Sequence, residues 1–485
     1  MSGIRKALLH ANLMHYSLRF IGLISTMVIS RLLTPSEVGT FAIASASAFM
    51  LNEFKLLGAN AWLIREKNLS SDKIGQALAL TILVSWAIGL GMFGFAQKLS
   101  EYFNIGALEQ LFKILSIGFF LAPYISIPMA LLSRNYEYKQ QMIITVSGNI
   151  AGLFIVVILI KNGFSYYSLA WGYSASMIIQ FMLVRFYIPE DFTPIPNFKG
   201  ISTVARFGII NSLSGMMMRA STSISDIIIG KLGTTYQVGI FSRGLGFVDF
   251  VTSTLVNGLS SVALPYLSAE KRAGGDIGDA YIRASTLTGA LVWPVLAVIS
   301  IASLPAIRLF FGDQWDFAAT LSSALAIWAM LKTPHWFANQ LLIASGKEGM
   351  MLLKESCLFV LLGFGIATLH ERGLIYIAYV FIFIGFLDFT LSSIILKITN
   401  NILFWKFVGS WWKNIILTTV CSIATLVIGT FIQLDDTQAW KPIICITLLV
   451  PFIWLATLHL IKHHLYNELF TLFNGILPLP RRRNL

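Results

Sequence analysis

Charge is scarce in this 485-residue chain. Asp, Glu, Lys and Arg together make up 12% of it, about half of the ~25% a soluble domain carries. So few charged groups cannot clothe a water-facing surface of that size. Only three cysteines occur, Cys357, Cys421 and Cys445, each inside an apolar run. Without a Cys-x-x-Cys pair or a Cys/His cluster, neither a disulfide framework nor a metal site is supported, and no cofactor is expected. Short alternating strands are missing, which argues against an outer-membrane barrel. The N-terminus, "MSGIRKALLHANLMHYSLRF", starts basic, but His10, His15 and Arg19 interrupt its apolar stretch and no small-residue cleavage site follows. It is expected to be a retained first span.

Hydrophobic residues make up 56% of the chain and the mean hydropathy is +0.74. Apolar runs of about 20 residues recur from end to end, the mark of an all-α polytopic membrane protein. Fourteen transmembrane helices are expected, the first at 8–30, the second at 38–62, the fourth at 108–132, the tenth at 318–344 and the last at 442–461. Seven alternate loops carry one basic residue each, whereas the other side, with both tails and counting Lys354, carries 22. By the positive-inside rule both termini lie in the cytoplasm. The formal charge of +12 is then mostly a topology signal, and nucleic acid is not an expected partner.

A phrase is written twice, 200 residues apart. "ISTMVISRLLTPSEVGTF" (24–41) and "ISDIIIGKLGTTYQVGIF" (224–241) share 8 of 18 positions, among them Thr34/Thr234, Val38/Val238, Gly39/Gly239 and Phe41/Phe241. Six spans separate the copies, so they run in the same sense. That pattern predicts two six-helix lobes, residues 1–200 and 201–400, related by a pseudo-two-fold along the membrane normal. Residues 401–485 would add helices 13 and 14 and a basic cytoplasmic tail ending in Arg481, Arg482 and Arg483.

The stretches "SRLLTPSEVGTFAIA", "LLSRNYEYKQQM", "IIIGKLGTTYQVGIFSRG" and "LFFGDQWDFAA" resemble those of the Wzx-type oligosaccharide flippases. These form the polysaccharide transporter branch of the multidrug/oligosaccharidyl-lipid/polysaccharide exporter superfamily, and the colanic-acid exporters look most similar. The resemblance runs through nearly the whole chain. It implies a cell inner-membrane transporter that flips an undecaprenyl-diphosphate-linked oligosaccharide from the cytoplasmic to the outer leaflet by alternating access, for surface polysaccharide biosynthesis. Membrane lipids, a polysaccharide polymerase and a chain-length regulator are its implied partners. No nucleophile, carboxylate pair or metal cluster stands out in the loops, so an enzyme is not expected.

Six basic residues fall within spans: Arg19, Lys55, Lys113, Arg219, Arg243 and Lys332. Arg19 and Arg219 share one register in the two copies, each 12 residues before a basic residue of the outer loop, or roughly 18 Å into the membrane. A cation at that depth needs a partner or a wet cavity. Two guanidiniums facing one cavity suit a diphosphate, whose oxygens each can grip with paired hydrogen bonds. Structural pairing, for instance of Arg219 or Arg243 with Asp226 or of Arg219 with Asp249, is the competing reading. Lys55 either snorkels or lines the cavity, and Lys113 is expected to snorkel. Lys332 precedes Pro334, His335 and Asn339, which predicts a break in the tenth span matched by Pro123 and Pro128 in the fourth. The acids Glu53, Asp226, Asp249 and Asp388 are candidates for ion coupling or for ion pairs. A multidrug antiporter would want an acid-lined cavity, against the cationic balance here; a lipid II-type flippase is the nearer alternative.

Overall fold

A computed structural model describes residues 2–188, 195–434 and 438–476. Helices follow one another along the chain: α1 (Ser2–Leu32), α2 (Pro35–Asn52), α3 (Ala59–Arg65), α4 (Ser71–Gly94), α5 (Ala96–Phe103), α6 (Ala107–Arg134), α7 (Tyr138–Lys161), α8 (Tyr167–Phe186), α9 (Ile201–Leu232), α10 (Thr235–Arg272), α11 (Ile277–Phe311), α12 (Asp316–Lys332), α13 (Ala338–Ala344), α14 (Glu348–Leu369), α15 (Leu374–Asn400), α16 (Phe404–Ser410), α17 (Trp412–Phe431), α18 (Trp440–Leu460) and α19 (His464–Ile476). No strand forms among the described residues. Each of the fourteen expected spans falls on one helix or on an interrupted pair, the pairs being α2–α3, α4–α5, α12–α13 and α16–α17. Among the described residues, ten helices are long and apolar enough to cross a membrane. The protein is an all-α polytopic membrane protein. The basic cluster at 481–483 lies outside the described residues.

The repeated phrase has a local cause. α1 and α9 stop at Leu32 and Leu232, in the 200-residue register of the sequence. After each, a threonine caps the next helix in a reciprocal pair. The Thr34 amide donates to Glu37 Oε2 (2.8 Å) while the Glu37 amide donates to Thr34 Oγ1 (3.4 Å). Thr234 and Gln237 repeat the exchange at 2.9 and 3.2 Å. This capping box satisfies amides that a helix start leaves unpaired, and it takes Ser or Thr with Glu or Gln three residues on. Two residues after each Glu or Gln stand Gly39 and Gly239, where the starts of α2 and α10 cross backbone to backbone. A β-carbon on Gly39 would lie 2.7 Å from the Gly239 amide nitrogen, and one on Gly239 would lie 2.8 Å from the Pro35 carbonyl carbon. Only glycine fits both sides of this crossing.

The chain divides into two compact units, Met1–Ser242 with Ile366–Glu371, and Arg243–Gly365 with Arg372–Leu485. In the first, α3, α4, α6 and α9 meet over a core that includes Trp62, Leu63, Ile74, Leu78, Ile127 and Val204. Arg134, the last residue of α6, donates to the carbonyls of Leu63 (2.7 Å), Ile64 (3.2 Å) and Glu66 (2.6 Å) at the end of α3. A cation there satisfies orphan carbonyls and complements the helix dipole.

Prolines inside the membrane free carbonyls that need other donors, and at three of them a side chain of a neighbouring helix supplies one. Pro123 leaves the Phe119 carbonyl open, and Ser85 Oγ donates to it at 2.5 Å. Pro294 leaves that of Ala290, which takes the Trp454 indole N–H at 2.9 Å. Pro334 leaves that of Met330, which takes the Trp293 indole at 2.9 Å. The tenth span breaks as expected, at a 3-10 turn over Thr333–His335 between α12 and α13. The fourth does not match it: α6 runs unbroken through Pro123 and Pro128, helped by the Ser85 hydroxyl that replaces the lost donor.

Between α18 and α19, outside the spans, His463 is 3% exposed. Its Nδ1 accepts from the Leu465 amide at 3.1 Å, so Nε2 carries the proton and donates to Asn414 Oδ1 at 3.0 Å. Asn414 Nδ2 in turn donates to the Thr286 carbonyl at 3.0 Å. Burial, reinforced by Lys413 and His464, pushes the ring down from 6.5 to about 4. The unfolded ring therefore binds its proton at a higher pH than the folded one. The staple contributes fully above pH 6.5 and is lost as pH falls toward 4. Wild type should lose on the order of 2 kcal/mol more than His463→Gln across that window, read as thermal midpoints in detergent; parallel pH profiles would refute the assignment.

Candidate functional site

The break in the tenth span gathers the polar groups of the second unit. α12 ends at Lys332, whose ammonium lies 4.9 Å from the Trp328 ring centroid. His335, in the turn itself, sits 2.8 Å from the Tyr281 hydroxyl and 2.8 Å from Ser393 Oγ. It stacks on Phe407 with centroids 4.5 Å apart. One residue earlier on α15, Ser392 joins a second cluster. There Lys354 Nζ of α14 contacts Asp388 Oδ1 (2.8 Å), Glu355 Oε1 (3.1 Å) and Ser392 Oγ (3.2 Å). Asn339 Nδ2 of α13 also donates to Glu355 Oε1, at 3.1 Å. The Lys354 side chain is 4% exposed and that of Asp388 14%.

Charges this deep persist only when paired and hydrogen-bonded. The three ammonium protons of Lys354 are matched by three oxygens, and Lys332 adds its field to Asp388. Two cations and two carboxylates thus balance on α12, α14 and α15. A set of this kind can hold an internal counter-ion in place, and Lys332 is the member seated over a ring, that of Trp328.

Of the residues singled out in the sequence, Lys332 and Asp388 come together here, beside His335 and Asn339. Asp388 stands as half of an ion pair. Its partner is a correction: Lys354, counted with the loop cations, lies inside α14 and is 5% exposed. Glu53 and Lys55 are not on the second helix, because α2 stops at Asn52; they sit in a turn that leads through Leu57 (φ 40°) and Gly58 (φ 67°) into α3. Arg19 is half-buried on α1, and the Arg219 side chain lies outside the described residues. Asp226 accepts from the Ser242 hydroxyl at 3.5 Å, and Asp249 is exposed. Arg243 holds its guanidinium 5.1 Å from the Phe311 ring and 4.9 Å from the Trp315 ring, a cation–π seat. Lys113 pairs with Glu109 at 2.6 Å. Besides Lys354, the sequence reading missed Glu355, Ser392 and Tyr281. A single charge pair in an apolar run, Lys354–Glu355, was the available signal.

A family model described as a polysaccharide biosynthesis protein matches residues 28–320. The chain is 19% identical over 321 residues to the succinoglycan biosynthesis transport protein ExoT of Rhizobium meliloti (strain 1021), covering 66% of this chain and 64% of that one, less than two thirds of its length. It is 18% identical over 372 residues to the teichuronic acid biosynthesis protein TuaB of Bacillus subtilis (strain 168), with 76% and 77% covered. It is 17% identical over 330 residues to the lipopolysaccharide biosynthesis protein WzxC of Escherichia coli (strain K12), with 67% of each covered. Among solved structures, the lipid II flippase MurJ in an inward closed conformation aligns with a TM-score of 0.74 at 13% identity, over 96% of this chain and 100% of that one. An inward-facing multidrug resistance MATE family transporter of the MOP superfamily aligns at 0.58 and 12% identity, over 80% and 94%. At such identities the structures establish the fold, and the family match covers more than half of the sequence. The chain belongs to the polysaccharide biosynthesis protein family and has the all-α fold also found in MurJ and the MATE transporters.

Proposed function

We propose that the protein is a transporter, not an enzyme, that flips an undecaprenyl-diphosphate-linked oligosaccharide repeat unit from the cytoplasmic to the outer leaflet by alternating access. It would work in the cell inner membrane with both termini cytoplasmic, its repeats spanning 1–200 and 201–400 and an appendage following from 401. The observation that carries the reading is the pair Arg19 and Arg219, each 13 residues before the end of its helix at Leu32 and Leu232. Intramembrane cations in equivalent register of a duplicated chain fit a substrate with two linked phosphates. Lys332, Lys55 and Arg243 offer further cationic positions along its path. Glu53, Asp226, Asp249 and Asp388 are the carboxylates that ion coupling would use. The names of the relatives, all tied to polysaccharide or envelope assembly, support this substrate class, and a polysaccharide polymerase and a chain-length regulator are the partners it implies.

Arg19→Ala with Arg219→Ala should cut appearance of the lipid-linked oligosaccharide in the outer leaflet by about a hundredfold, as two charge-assisted contacts of ~1.5 kcal/mol each predict. Replacing both by lysine should recover part of it, since charge remains and the bidentate grip is lost. Normal delivery in the double alanine variant would dismiss the clamp. Running the assay with lipid II as cargo separates the alternative substrate.

A further inference from the structure

We propose that a groove on the first unit, between α6 and α8, is a specific site for one acyl chain of an anionic phospholipid, with Arg185 meeting the phosphate. A cavity of about 600 Å³ opens there, lined by Tyr124 of α6, by Phe181, Met182, Arg185 and Phe186 of α8, and by Ile188 just beyond. The volume lies in the range of small-ligand pockets, ~300–1,000 Å³. Its floor is packed: the Tyr124 ring meets that of Phe181 edge-on at 6.3 Å, and Ile125, Leu132, Ile144 and Val184 form a buried core beside them.

Two properties select the occupant. The lining is apolar except for one cation and the Tyr124 hydroxyl, and its outer members stay open: Phe181 is 41% exposed, Met182 58% and Phe186 80%. Flexible, open apolar walls suit a chain rather than a sugar or a nucleotide, which would need hydrogen-bonding partners. The cation sits in the last turn of α8, where the helix dipole favours positive charge and the membrane ends. Arg185 is exposed and has no carboxylate partner among the described residues. Lys139, also exposed, starts the antiparallel neighbour α7 at the same end. An apolar slot that ends in guanidinium matches a lipid tail that ends in phosphate. A long polyprenyl chain would outrun the cavity, which commits the site to a phospholipid. The orientation given under Proposed function adds that this is the cytoplasmic leaflet; the chemistry of the site does not depend on the substrate proposed there.

The test is native mass spectrometry of the full chain released from micelles that hold phosphatidylglycerol and phosphatidylcholine in equal amounts. Wild type should retain one phosphatidylglycerol in preference to phosphatidylcholine. Arg185→Glu should reduce that adduct about fivefold or more, the factor that ~1 kcal/mol per basic residue at a membrane surface yields. Met182→Trp, which fills the slot and keeps the charge, should reduce it as well. Both changes fall on exposed side chains, and a thermal midpoint equal to wild type confirms that each variant is folded. Equal retention of the two lipids by wild type, or an adduct unaltered in Arg185→Glu, overturns the site. Displacement of phosphatidylglycerol by an equal concentration of polyprenyl phosphate overturns the choice of occupant. Because the readout is lipid retention, it stands whether or not the transport reading survives.

Discussion

Lys354→Met should lower stability by about 3–5 kcal/mol, the range found when one member of a buried ion pair is removed. The reason is the two carboxylates left behind. Asp388 and Glu355 share the Lys354 ammonium at 2.8 and 3.1 Å, and that side chain is 4% exposed. Without it, Ser392 and Asn339 still hydrogen-bond to the acids, and the positive charge left beside Asp388 is the field of Lys332. The pair itself need not stabilise the fold, because its desolvation cost offsets much of the attraction. Lys354→Met with Asp388→Leu should therefore recover most of the loss, and the coupling in the double-mutant cycle should exceed ~1 kcal/mol. An ion pair open to solvent gives the control: Lys406 and Asp279, with side chains 55% and 58% exposed, should tolerate Lys406→Met without a measurable shift of the thermal midpoint. If Lys354→Met behaves like Lys406→Met, the buried network has no energetic reality.

How this network escaped the sequence reading has a plain cause. Spans were legible because an apolar run of about 20 residues has almost no stable home except a membrane-crossing helix, and each of the fourteen lands on one helix or on an interrupted pair. The repeat was legible because a capping box fixes residue type at fixed spacing, as Thr34/Glu37 and Thr234/Gln237 do. Lys354 was not, since a charge within two turns of a span's end looks like a loop cation, and its partner Asp388 is 34 residues away on another helix. For Arg243 the sequence offered Asp226 as a partner, while the rings of Phe311 and Trp315 that its guanidinium faces lie about 70 residues on and leave no local mark. The break after Asn52 carried no proline; its positive-φ residues are Leu57 and Gly58, and a leucine followed by one glycine is too common to mark a turn. Local rules, in short, travel through the sequence, while charge pairing across helices does not.

The same glycine-to-alanine change should have opposite signs at two places. At Gly91, in the last turn of α4, a β-carbon meets nothing within 4 Å, so Gly91→Ala should stabilise by up to about 1 kcal/mol through helix propensity alone. At Gly39 the added carbon would lie 2.8 Å from the carbonyl carbon of Thr235 and closer still to its oxygen. The obstacle is backbone at the capped start of a helix, which no rotamer change can clear. Overpacking usually costs ~1–3 kcal/mol, and Gly39→Ala should reach the upper end of that range. Gly239→Ala should match it, because its β-carbon meets the Pro35 carbonyl in the mirrored arrangement. The two costs should not add: once the first alanine has pushed the helix starts apart, the second finds the room already made. Thermal midpoints of the three single variants and the double variant in detergent provide the check. A Gly39→Ala protein as stable as Gly91→Ala would mean that the two copies of the repeated phrase do not touch at their glycines, and that the recurrence of Gly39 and Gly239 needs another cause.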